Sequence, residues 1–486
     1  MKRPLTIAFL SGFVVMLYEL LVIRLASPWI GSSFTVWSGT MSLILFGLFL
    51  GNLVGGVRGD KNRDPRELAM ILATIGIAML ITQTTSNTLL SVGSAPLLAM
   101  STHQSLSVPS SFAIFALFGF YGLALIPALL MGMICPYLVS LFGDRTTPGQ
   151  SSAHIFGCSS VGGIFGTLIG GAILIPFAGI QISFIVAIGI IASLAALLHR
   201  TPATMLSLVL MCGSSYLYQP KSAEGVIETR ESVYGHLEVR QRGTVKQLIL
   251  GSPYSTQSID TGSAADSKRH IWYQLPKLSL LKSWSRTPRR AVILGLGAGT
   301  MVEPLRSMFP GIEVHGVELD PEIVSLGRSH FSLNVPAEQV HIMDARAFVQ
   351  STELDFDIVI ADAYRPPTIP QQLASIEFFE ALQNMMSEES ILLLNYSGVY
   401  HQQTVSTMLQ NTIEAVFGQT TPLKLLGSVN SALVAFKGQG FDQPPTLPWT
   451  TLSQHDRTSS EVFRDDRNGI EILQELEMLR YAWSKL

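Results

Sequence analysis

Six long apolar segments fill most of the first 200 residues of this chain, and they limit the folds that it can adopt. They cover about residues 5–25, 36–57, 68–85, 110–142, 153–178 and 180–198. A helix needs roughly 20 apolar residues to cross the hydrocarbon core of a bilayer. Six transmembrane helices are therefore predicted. Lys2 and Arg3 precede the first segment, but no small-residue cleavage site follows it, so a signal peptide is not predicted.

Charged residues are unevenly distributed between the two parts of the chain. Residues 1–200 contain nine Lys/Arg and five Asp/Glu, whereas the remainder contains 23 and 30. The first part is thus expected in a membrane and the second in water. No basic stripe with interleaved aromatic residues occurs, so nucleic acid is not expected as a partner. The three cysteines lack the spacing of a metal site, and no metal is predicted.

The positions of Lys and Arg predict the orientation of the helices. Basic residues near the ends of the apolar segments are Lys2, Arg3, Arg58, Lys61, Arg63, Arg66, Arg145 and Arg200. Six alternating spans place all of them on one side, which the positive-inside rule makes cytoplasmic. Residues 205–218 form a shorter, Ser-rich seventh segment that would reverse the orientation of the following part if it spanned. We expect it either to lie in the interface or to pack against the other helices, so that the second part faces the cytoplasm.

Two ionisable residues, Glu19 and Arg24, fall inside the first apolar segment. Charged groups at membrane depth are costly and mark a pathway, a ligand site or an ion pair. Glu19 is a candidate for binding a cationic ligand such as a polyamine amine. The alternatives are that Glu19 pairs with a polar group of a neighbouring helix and that Arg24 extends to the headgroups.

Residues 291–320 have the pattern of a strand, a turn with three glycines, a helix and a second strand. The turn contains Gly295, Gly297 and Gly299, and the second strand ends at Glu318. Glycines allow the backbone to approach a nucleotide-like ligand, and an acid about 20 residues later can accept both ribose hydroxyl hydrogens. This βαβ pattern fits NAD and S-adenosylmethionine equally well.

Two further apolar runs extend the pattern. One precedes Asp344 and Ala345, and the other, residues 358–361, ends at Asp362. Ligands bind at the carboxyl ends of parallel strands in such folds, and Asp344 could accept from an adenine amino group. In order, these motifs resemble the spermidine synthase (aminopropyltransferase) family, a branch of the S-adenosylmethionine methyltransferase-like fold, from about residue 231 to 435.

The resemblance implies a Rossmann-type α/β domain that binds decarboxylated S-adenosylmethionine or S-adenosylmethionine as a substrate. The implied nucleotide-binding residues are Gln257, Gly295, Gly297, Gly299, Glu318, Asp344 and Ala345. Asp362 matches the proton acceptor of the family. Tyr273 matches a tyrosine that lines the active site, and Tyr364 and Arg365 are assigned to substrate binding. Tyr273 could equally be a helix aromatic that packs on the sheet.

The membrane part also resembles a known class. The basic loop after the second segment, with residues 51–56 before it, resembles the loop between helices two and three of major facilitator transporters. A bacterial family fuses such a half-transporter-like domain to a spermidine synthase-like domain, and this chain resembles it along most of its length. We therefore expect a helical membrane domain (1–220, six to seven spans), a small β-domain (221–265) and a Rossmann-like domain (266–486).

The chain departs from the spermidine synthase pattern at three acids. Ala298 replaces the acid of the first turn, Arg365 replaces a second aspartate, and the next strand end (394–397) lacks a third. A guanidinium would oppose binding of a diamine. Arg365 could instead bind a carboxylate of the substrate or of intact S-adenosylmethionine.

Three functions remain open from the sequence. The first is a membrane-anchored aminopropyltransferase that uses decarboxylated S-adenosylmethionine and an amine acceptor. The second is an S-adenosylmethionine-dependent transferase, such as a methyltransferase, that acts on a substrate delivered by the membrane domain. The third is a transporter-like protein with a nucleotide-sensing domain. The first function accounts for the fold, for Asp362 as a base and for the order of the domains. It implies the bacterial inner membrane as the location. A homodimer is a possible assembly.

Overall fold

The computed structural model describes residues 2–30, 34–93, 110–144, 146–198, 225–250, 256–262, 271–281, 284–364, 369–397, 404–424, 430–438, 461–468, 470 and 472–474. These residues form two compact units that divide near residue 222. The first unit is helical, and the second contains a small antiparallel sheet and a larger mixed sheet. The segment 205–218, which we expect in the membrane interface, lies outside the described residues.

Helices make up the described part of the first unit. They are α1 (Lys2–Ile30), α2 (Phe34–Asn62), α3 (Pro65–Gly93), α4 (Ser110–Gly132), α5 (Ile134–Phe142), α6 (Pro148–Ile169), a π-helix (Gly170–Ala178) and α7 (Gly179–Leu198). Five helical segments are long and apolar enough to cross a membrane, by length and composition. Six segments were predicted, and the difference arises at the end of the unit, where one helical segment covers two predicted ones.

The fifth helical segment, Pro148–Leu198, has 51 residues. A straight helix of that size would be about 76 Å long, whereas the hydrocarbon core of a bilayer is about 30 Å thick. Gly179 has a φ angle of +79°, which no right-handed helix contains. The segment is therefore two helices that meet at Gly179, close to the boundary between the predicted segments 153–178 and 180–198.

Helices α1 and α6 approach each other closely because glycines line their contact. A Cβ atom at Gly162 would lie 1.9 Å from the carbonyl oxygen of Phe9, and one at Gly166 would lie 2.3 Å from that of Phe13. Only a residue without a side chain fits at such distances, which is how small residues bring membrane helices together. The four-residue glycine spacing thus has a structural role in this pair.

The predicted basic loop lies mostly in the end of α2 and the start of α3, and Glu67 of α3 joins this region to α5. Glu67 Oε1 accepts a hydrogen bond from Arg58 Nε at 2.7 Å. Its Oε2 accepts from Asn62 Nδ2 at 2.6 Å and from the Tyr137 hydroxyl at 3.1 Å. The side chain is buried, and an isolated buried charge is unfavourable. These donors therefore compensate for the loss of water around Glu67.

The small sheet of the second unit has four antiparallel strands. They are β1 (Val226–Glu231), β2 (His236–Arg242), β3 (Val245–Leu250) and β4 (Thr256–Asp260), paired in that order. The β2–β3 hairpin turns at Gly243, where φ is +60°, a conformation that favours glycine. Strand β4, with the sequence TQSID, is largely polar and lacks the alternation of apolar and polar residues by which half-buried strands are predicted.

The larger part of the second unit alternates strands and helices. Its elements are α8 (Ile271–Lys277), β5 (Arg290–Leu294), α9 (Val302–Met308), β6 (Glu313–Glu318), α10 (Pro321–His330), β7 (Val340–Ile342), α11 (Ala345–Ser351), β8 (Phe356–Ala361), α12 (Ile376–Asn384), β9 (Met386–Ser397), α13 (Thr404–Phe417), β10 (Thr420–Lys424) and β11 (Asn430–Lys437). Short 3₁₀ turns occupy Leu278–Leu281, Ala337–Gln339 and Gln371–Leu373.

The large sheet has the Rossmann-like arrangement expected from the sequence. Its strand order is β10-β11-β9-β8-β5-β6-β7. Strands β5 to β9 are parallel, and β10 and β11 are antiparallel to their neighbours. All six residues of β8 are buried, as expected for a parallel strand covered on both faces. From β5 the chain proceeds to β6 and β7 on one side and then returns to β8 on the other. Ligands bind at such a switch point in open α/β sheets.

Candidate active site

The glycine turn after β5 lies at this switch point, and close contacts restrict its residues. Gly295 has a φ angle of +88°, and a Cβ atom there would lie 2.4 Å from the carbonyl oxygen of Asp362. At Gly297, where φ is +57°, a Cβ atom would lie 2.9 Å from Ser258 Oγ. Gly299 also has a positive φ of +83°. Side chains rarely tolerate such backbones, so glycine here lets β8 and β4 approach the turn.

Glu318, the last residue of β6, holds the glycine turn in place. Its Oε2 accepts a hydrogen bond from Gly297 N at 2.9 Å, and its Oε1 accepts from Leu319 N at 2.9 Å and Asp320 N at 3.1 Å. Burial raises the pKa of Glu318, and the charge of Asp320 adds to this rise. A carboxylate has about four acceptor positions. One acceptor position of Glu318 therefore remains for a ribose hydroxyl, whereas the sequence pattern predicts hydrogen bonds from both ribose hydroxyls.

Strand β4 lies directly against the glycine turn. Ser258 Oγ accepts a hydrogen bond from Ala298 N at 3.0 Å. The carbonyl oxygen of Gln257 is 3.5 Å from the position of a Cβ atom at Gly297. The main chain of Gln257 is thus beside the turn, which agrees with a place near the nucleotide. Ser258 is not among the predicted site residues. In the sequence, only its position next to Gln257 could have indicated a place in the site.

Asp362 follows β8 directly and lies beside the glycine turn. Its main-chain N donates to Leu294 O at 2.8 Å. Its side chain is partly exposed; Oδ1 accepts from Asn395 Nδ2 at 2.5 Å, and the Trp272 indole N–H also donates to the carboxylate. Burial raises the pKa of Asp362 from 3.8 to about 7, and the charge of Glu318 adds to the rise. The two donors oppose this rise without cancelling it.

A carboxyl group with a pKa of about 7 is well suited to moving protons at neutral pH. The ionised form can take a proton from a substrate, and the protonated form can return it to water. Perturbed carboxyl groups at the carboxyl edge of an α/β sheet are candidates for functional residues. Asp362 combines this position with a pKa raised to about 7.

Two aromatic residues contact the surroundings of Asp362. The Tyr364 hydroxyl donates to Ala361 O at 3.4 Å. Burial, with the charge of Asp362, raises the pKa of Tyr364 above its usual value, so this hydroxyl stays protonated near neutral pH. Tyr273 on α8 is the predicted site residue, whereas the neighbouring Trp272 makes the contact with Asp362. Consecutive helix residues point about 100° apart, so Tyr273 faces another direction and its role stays a prediction.

Asp344 and Ala345 lie where β7 leads into α11. Asp344 caps this helix: its Oδ1 accepts from Arg346 N at 2.8 Å and from Ala347 N at 3.3 Å. The preceding main-chain N, of Met343, donates to the carbonyl oxygen of Glu318 at 3.1 Å, which places Asp344 at the same sheet edge. Oδ2 takes part in neither capping bond, and a contact with adenine remains a prediction.

Three predicted site residues remain: Arg365, Glu19 and Arg24. Arg365 lies outside the described residues. Glu19 is 6% exposed on α1, and no hydrogen bond or ion pair joins its carboxylate to another residue of the described ranges. Arg24 lies on the same helix. The described residues contain no group of three or more His, Cys, Asp or Glu side chains that could hold a metal ion.

Residues 278–426 match the spermine/spermidine synthase domain. A probable polyamine aminopropyl transferase of Bifidobacterium longum is 27% identical over 218 residues, which are 44% of this chain and 48% of that protein. Polyamine aminopropyltransferase 2 of Aquifex aeolicus is 21% identical over 440 residues, which cover 85% of this chain and 83% of that protein. The chain thus spans about half the length of the first relative and most of the second. The second match must extend into the helical unit.

Two other proteins are similar to parts of the chain. An N-terminal histidine N-methyltransferase of Emericella nidulans is 27% identical over 158 residues, 30% of this chain and 27% of that protein. The solved structure of a probable spermidine synthase from Corynebacterium glutamicum is 20% identical, with a TM-score of 0.38, and covers 45% of this chain and 83% of that chain. Kinship of the helical unit with major facilitator transporters stays a prediction. The residues that match the spermine/spermidine synthase domain, 278–426, include the glycine turn, Glu318 and Asp362.

Proposed function

We propose that this chain transfers an aminopropyl group from decarboxylated S-adenosylmethionine to an amine, with Asp362 as the proton acceptor. Asp362 carries the proposal, since it lies beside the glycine turn, is partly exposed and has a pKa raised to about 7. Spermidine synthases use decarboxylated S-adenosylmethionine as the aminopropyl donor, and the relatives of this chain include polyamine aminopropyltransferases.

The reaction requires one proton transfer and one substitution at carbon. Ionised Asp362 takes a proton from the ammonium group of the acceptor, which frees the nitrogen lone pair. That lone pair forms a bond to the propyl carbon beside the sulfonium, and the carbon–sulfur bond breaks with its electron pair going to sulfur. The products are an aminopropylated ammonium ion and neutral 5′-methylthioadenosine. Asp362 then releases its proton to water.

The other residues of the site would bind and orient the two substrates. Glu318 and the glycine turn would hold the ribose and its nearby atoms, and Asp344 with Ala345 would contact the adenine. Gln257, Tyr273, Tyr364 and Arg365 are proposed to contact the transferred group and the acceptor. Holding the nitrogen in line with the breaking bond is worth a large part of the rate enhancement.

Methyl transfer from intact S-adenosylmethionine is the second candidate function. Ala298 occupies the turn position where an acid would bind the amine of the donor, and its side chain is fully buried. One relative of the chain is a histidine N-methyltransferase. Arg365 would pair with the carboxylate that only intact S-adenosylmethionine carries. The same Asp362 could accept a proton in that reaction too.

We further infer that the first unit anchors the enzyme in the bacterial inner membrane, with the second unit on the cytoplasmic side. Five apolar helical segments and the basic residues of the α2–α3 connection support this placement. Glu19 is proposed to bind a cation inside this unit, because it is 6% exposed and no ion pair joins it to a cationic side chain of the described ranges. A purely transporting protein with a sensing domain would need no titrating group such as Asp362.

The pH dependence of turnover follows from the raised pKa of Asp362. The acceptor role needs the ionised form, so kcat is expected to rise with pH, pass its half-maximal value near pH 7 and level off above it. The amine itself titrates near pH 10.4, well outside this window. Release of 5′-methylthioadenosine at saturating donor, measured from about pH 5.5 to 8.5, checks this result. A rate that is constant across that range would rule out Asp362 as the base.

A further inference from the structure

Asn395 lies on β9 beside Asp362, and one short hydrogen bond sets the orientation of its amide. Strands β8 and β9 are parallel with Ala361 opposite Leu394, so the two following residues are neighbours at the sheet edge. Asn395 Nδ2 donates to Asp362 Oδ1 at 2.5 Å. The reverse orientation of the amide would bring two acceptor oxygens together. Ionised Asp362 therefore determines which way Asn395 Oδ1 points.

The oxygen of this amide is buried without a hydrogen-bond donor among the described residues. Asn395 is 4% exposed, and most buried side-chain oxygens in proteins have a partner. The one other buried side-chain atom of this kind in the described ranges is Thr300 Oγ1, next to the glycine turn. Both atoms thus belong to the edge where the substrates of the proposed reaction would bind. An acceptor of this kind is suited to a donor that arrives with a ligand.

Distance allows one nitrogen atom to contact both Asp362 and Asn395. The two polar atoms of an amide are about 2.3 Å apart. Asn395 Oδ1 therefore lies at most about 4.8 Å from Asp362 Oδ1, given the 2.5 Å hydrogen bond. Hydrogen bonds from nitrogen to oxygen span about 2.7–3.2 Å. Where the bonded N–H of the amide is the one on the same side as Oδ1, the two oxygens are about 3.3 Å apart, and an ammonium nitrogen beside them can reach both. In the opposite geometry the amide nitrogen itself would lie between the two oxygens.

The charges around Asp362 favour such a ligand. Among the described residues, the groups that act on its carboxylate are two neutral donors, on Asn395 and Trp272, and the anionic Glu318. Tyr364, which follows β8 as well, is neutral near pH 7 because its pKa is raised. This part of the site contains negative charge and acceptor oxygens, which attract a cation with N–H donors.

We infer that Asn395 has two roles in the proposed reaction: its amide N–H fixes the carboxylate of Asp362, and its buried oxygen accepts a hydrogen bond from the incoming amine. This inference rests on the proposed function and extends it to the acceptor side of the site. An ammonium group has three N–H donors. One would be transferred to Asp362, and a second would stay on Asn395 Oδ1 and hold the nitrogen during attack.

Two substitutions separate the two roles. Asn395→Leu removes both the donor to Asp362 and the acceptor for the amine. Asn395→Asp removes the donor but keeps an acceptor oxygen, now with a negative charge. Both changes raise the pKa of Asp362, the first by loss of a hydrogen bond and the second by like charge. At a pH of about 9, Asp362 is ionised in wild type and in Asn395→Leu, while simple amines still carry their proton.

Calorimetric binding of 1,4-diaminobutane to the full chain loaded with 5′-methylthioadenosine measures the contact without turnover. At pH of about 9 we expect Asn395→Leu to bind the diamine at least about tenfold more weakly than wild type, and Asn395→Asp to bind it as well or better. Retained 5′-methylthioadenosine affinity shows that each variant is folded; Asn395→Ala replaces Asn395→Leu if that affinity is lost.

Several outcomes would overturn the inference. Wild-type affinity of Asn395→Leu at this pH would show that Asn395 acts only through Asp362. Equal losses in both variants would point to a purely structural role. If wild type does not bind the diamine at all, the contact is wrong. If wild type binds it but transfers nothing, the proposed function fails, whereas the pattern among the variants still decides the role of Asn395.

Discussion

Asp362→Asn is expected to reduce turnover by about 10²- to 10⁴-fold, the usual contribution of a general base. The amide has nearly the same shape as the carboxyl group but cannot take a proton from the acceptor amine. Glu318 and the glycine turn are unchanged by the substitution, so the affinity for the adenosine part of the donor should stay near that of wild type. Initial rates and calorimetric binding of 5′-methylthioadenosine together measure the two effects. Wild-type turnover in this variant would exclude Asp362 as the base.

The same variant has a stability signature that does not depend on turnover. The folded-state pKa of Asp362 is raised from 3.8 to about 7, so between these values the folded protein binds a proton that the unfolded chain releases. The free energy of unfolding of wild type therefore falls as pH rises through this window, and the loss is complete above it. The neutral amide of the Asp362→Asn variant lacks this dependence. The Tm of the variant minus the Tm of wild type should therefore increase from about pH 4 to about pH 8.

Gly295→Ala is expected to unfold the edge of the second unit locally and to abolish nucleoside binding. The new Cβ atom would lie 2.4 Å from the carbonyl oxygen of Asp362, and a backbone atom cannot rotate away. The residue would also keep a left-handed φ of +88°, which costs a side chain about 1–2 kcal/mol. The clash adds a further penalty of at least about 1–3 kcal/mol, as overpacking does in cores. Thermal unfolding and 5′-methylthioadenosine binding check this result.

Gly311→Ala is the matched control for this substitution. Gly311 has nearly the same φ, +84°, but a Cβ atom there would have no heavy atom within 4 Å. It carries only the cost of the backbone conformation, so Tm should fall by a few degrees, at about 2–4 °C per kcal/mol, and binding should be unchanged. Equal effects of the two substitutions would mean that the close approach of Asp362 to the turn is wrong.

The parts of the fold that follow from local patterns could be predicted from the sequence. Buried parallel strands such as β5 and β8 are continuous apolar runs, and the residues that end them, Leu294 and Ala361, are next to the glycine turn and to Asp362. The order of the motifs then places the turn and Asp362 at one edge, since parallel strands share their carboxyl ends. The spermidine synthase resemblance rests on these local features, and the domain match confirms it for residues 278–426.

The partners of Asp362 could not be predicted in the same way. Asn395 contacts it because of the register between β8 and β9, and a register is a property of the pair and not of either strand. Trp272 reaches it because of the orientation of α8, whereas the family resemblance implied only the adjacent Tyr273. Glu318 was recognised as a ligand for ribose, but its three bonds to backbone N–H groups depend on the shape of the folded turn.

The helix boundaries of the first unit could also not be predicted fully from the sequence. The apolar runs 153–178 and 180–198 are nearly continuous in the sequence, and the helical structure is continuous too, as Pro148–Leu198. The positive φ of Gly179 makes the division. A glycine in an apolar run does not by itself indicate a break, because Gly162 and Gly166 lie within α6 and serve helix packing instead.

The nucleoside product tests the central claim most directly. The purified full-length chain would receive decarboxylated and intact S-adenosylmethionine in equal amounts, together with 1,4-diaminobutane, and the products would be identified by mass spectrometry. Aminopropyl transfer predicts 5′-methylthioadenosine and an aminopropylated amine, both dependent on Asp362. Formation of S-adenosylhomocysteine and a methylated product, with no 5′-methylthioadenosine, would contradict the account and establish methyl transfer in its place.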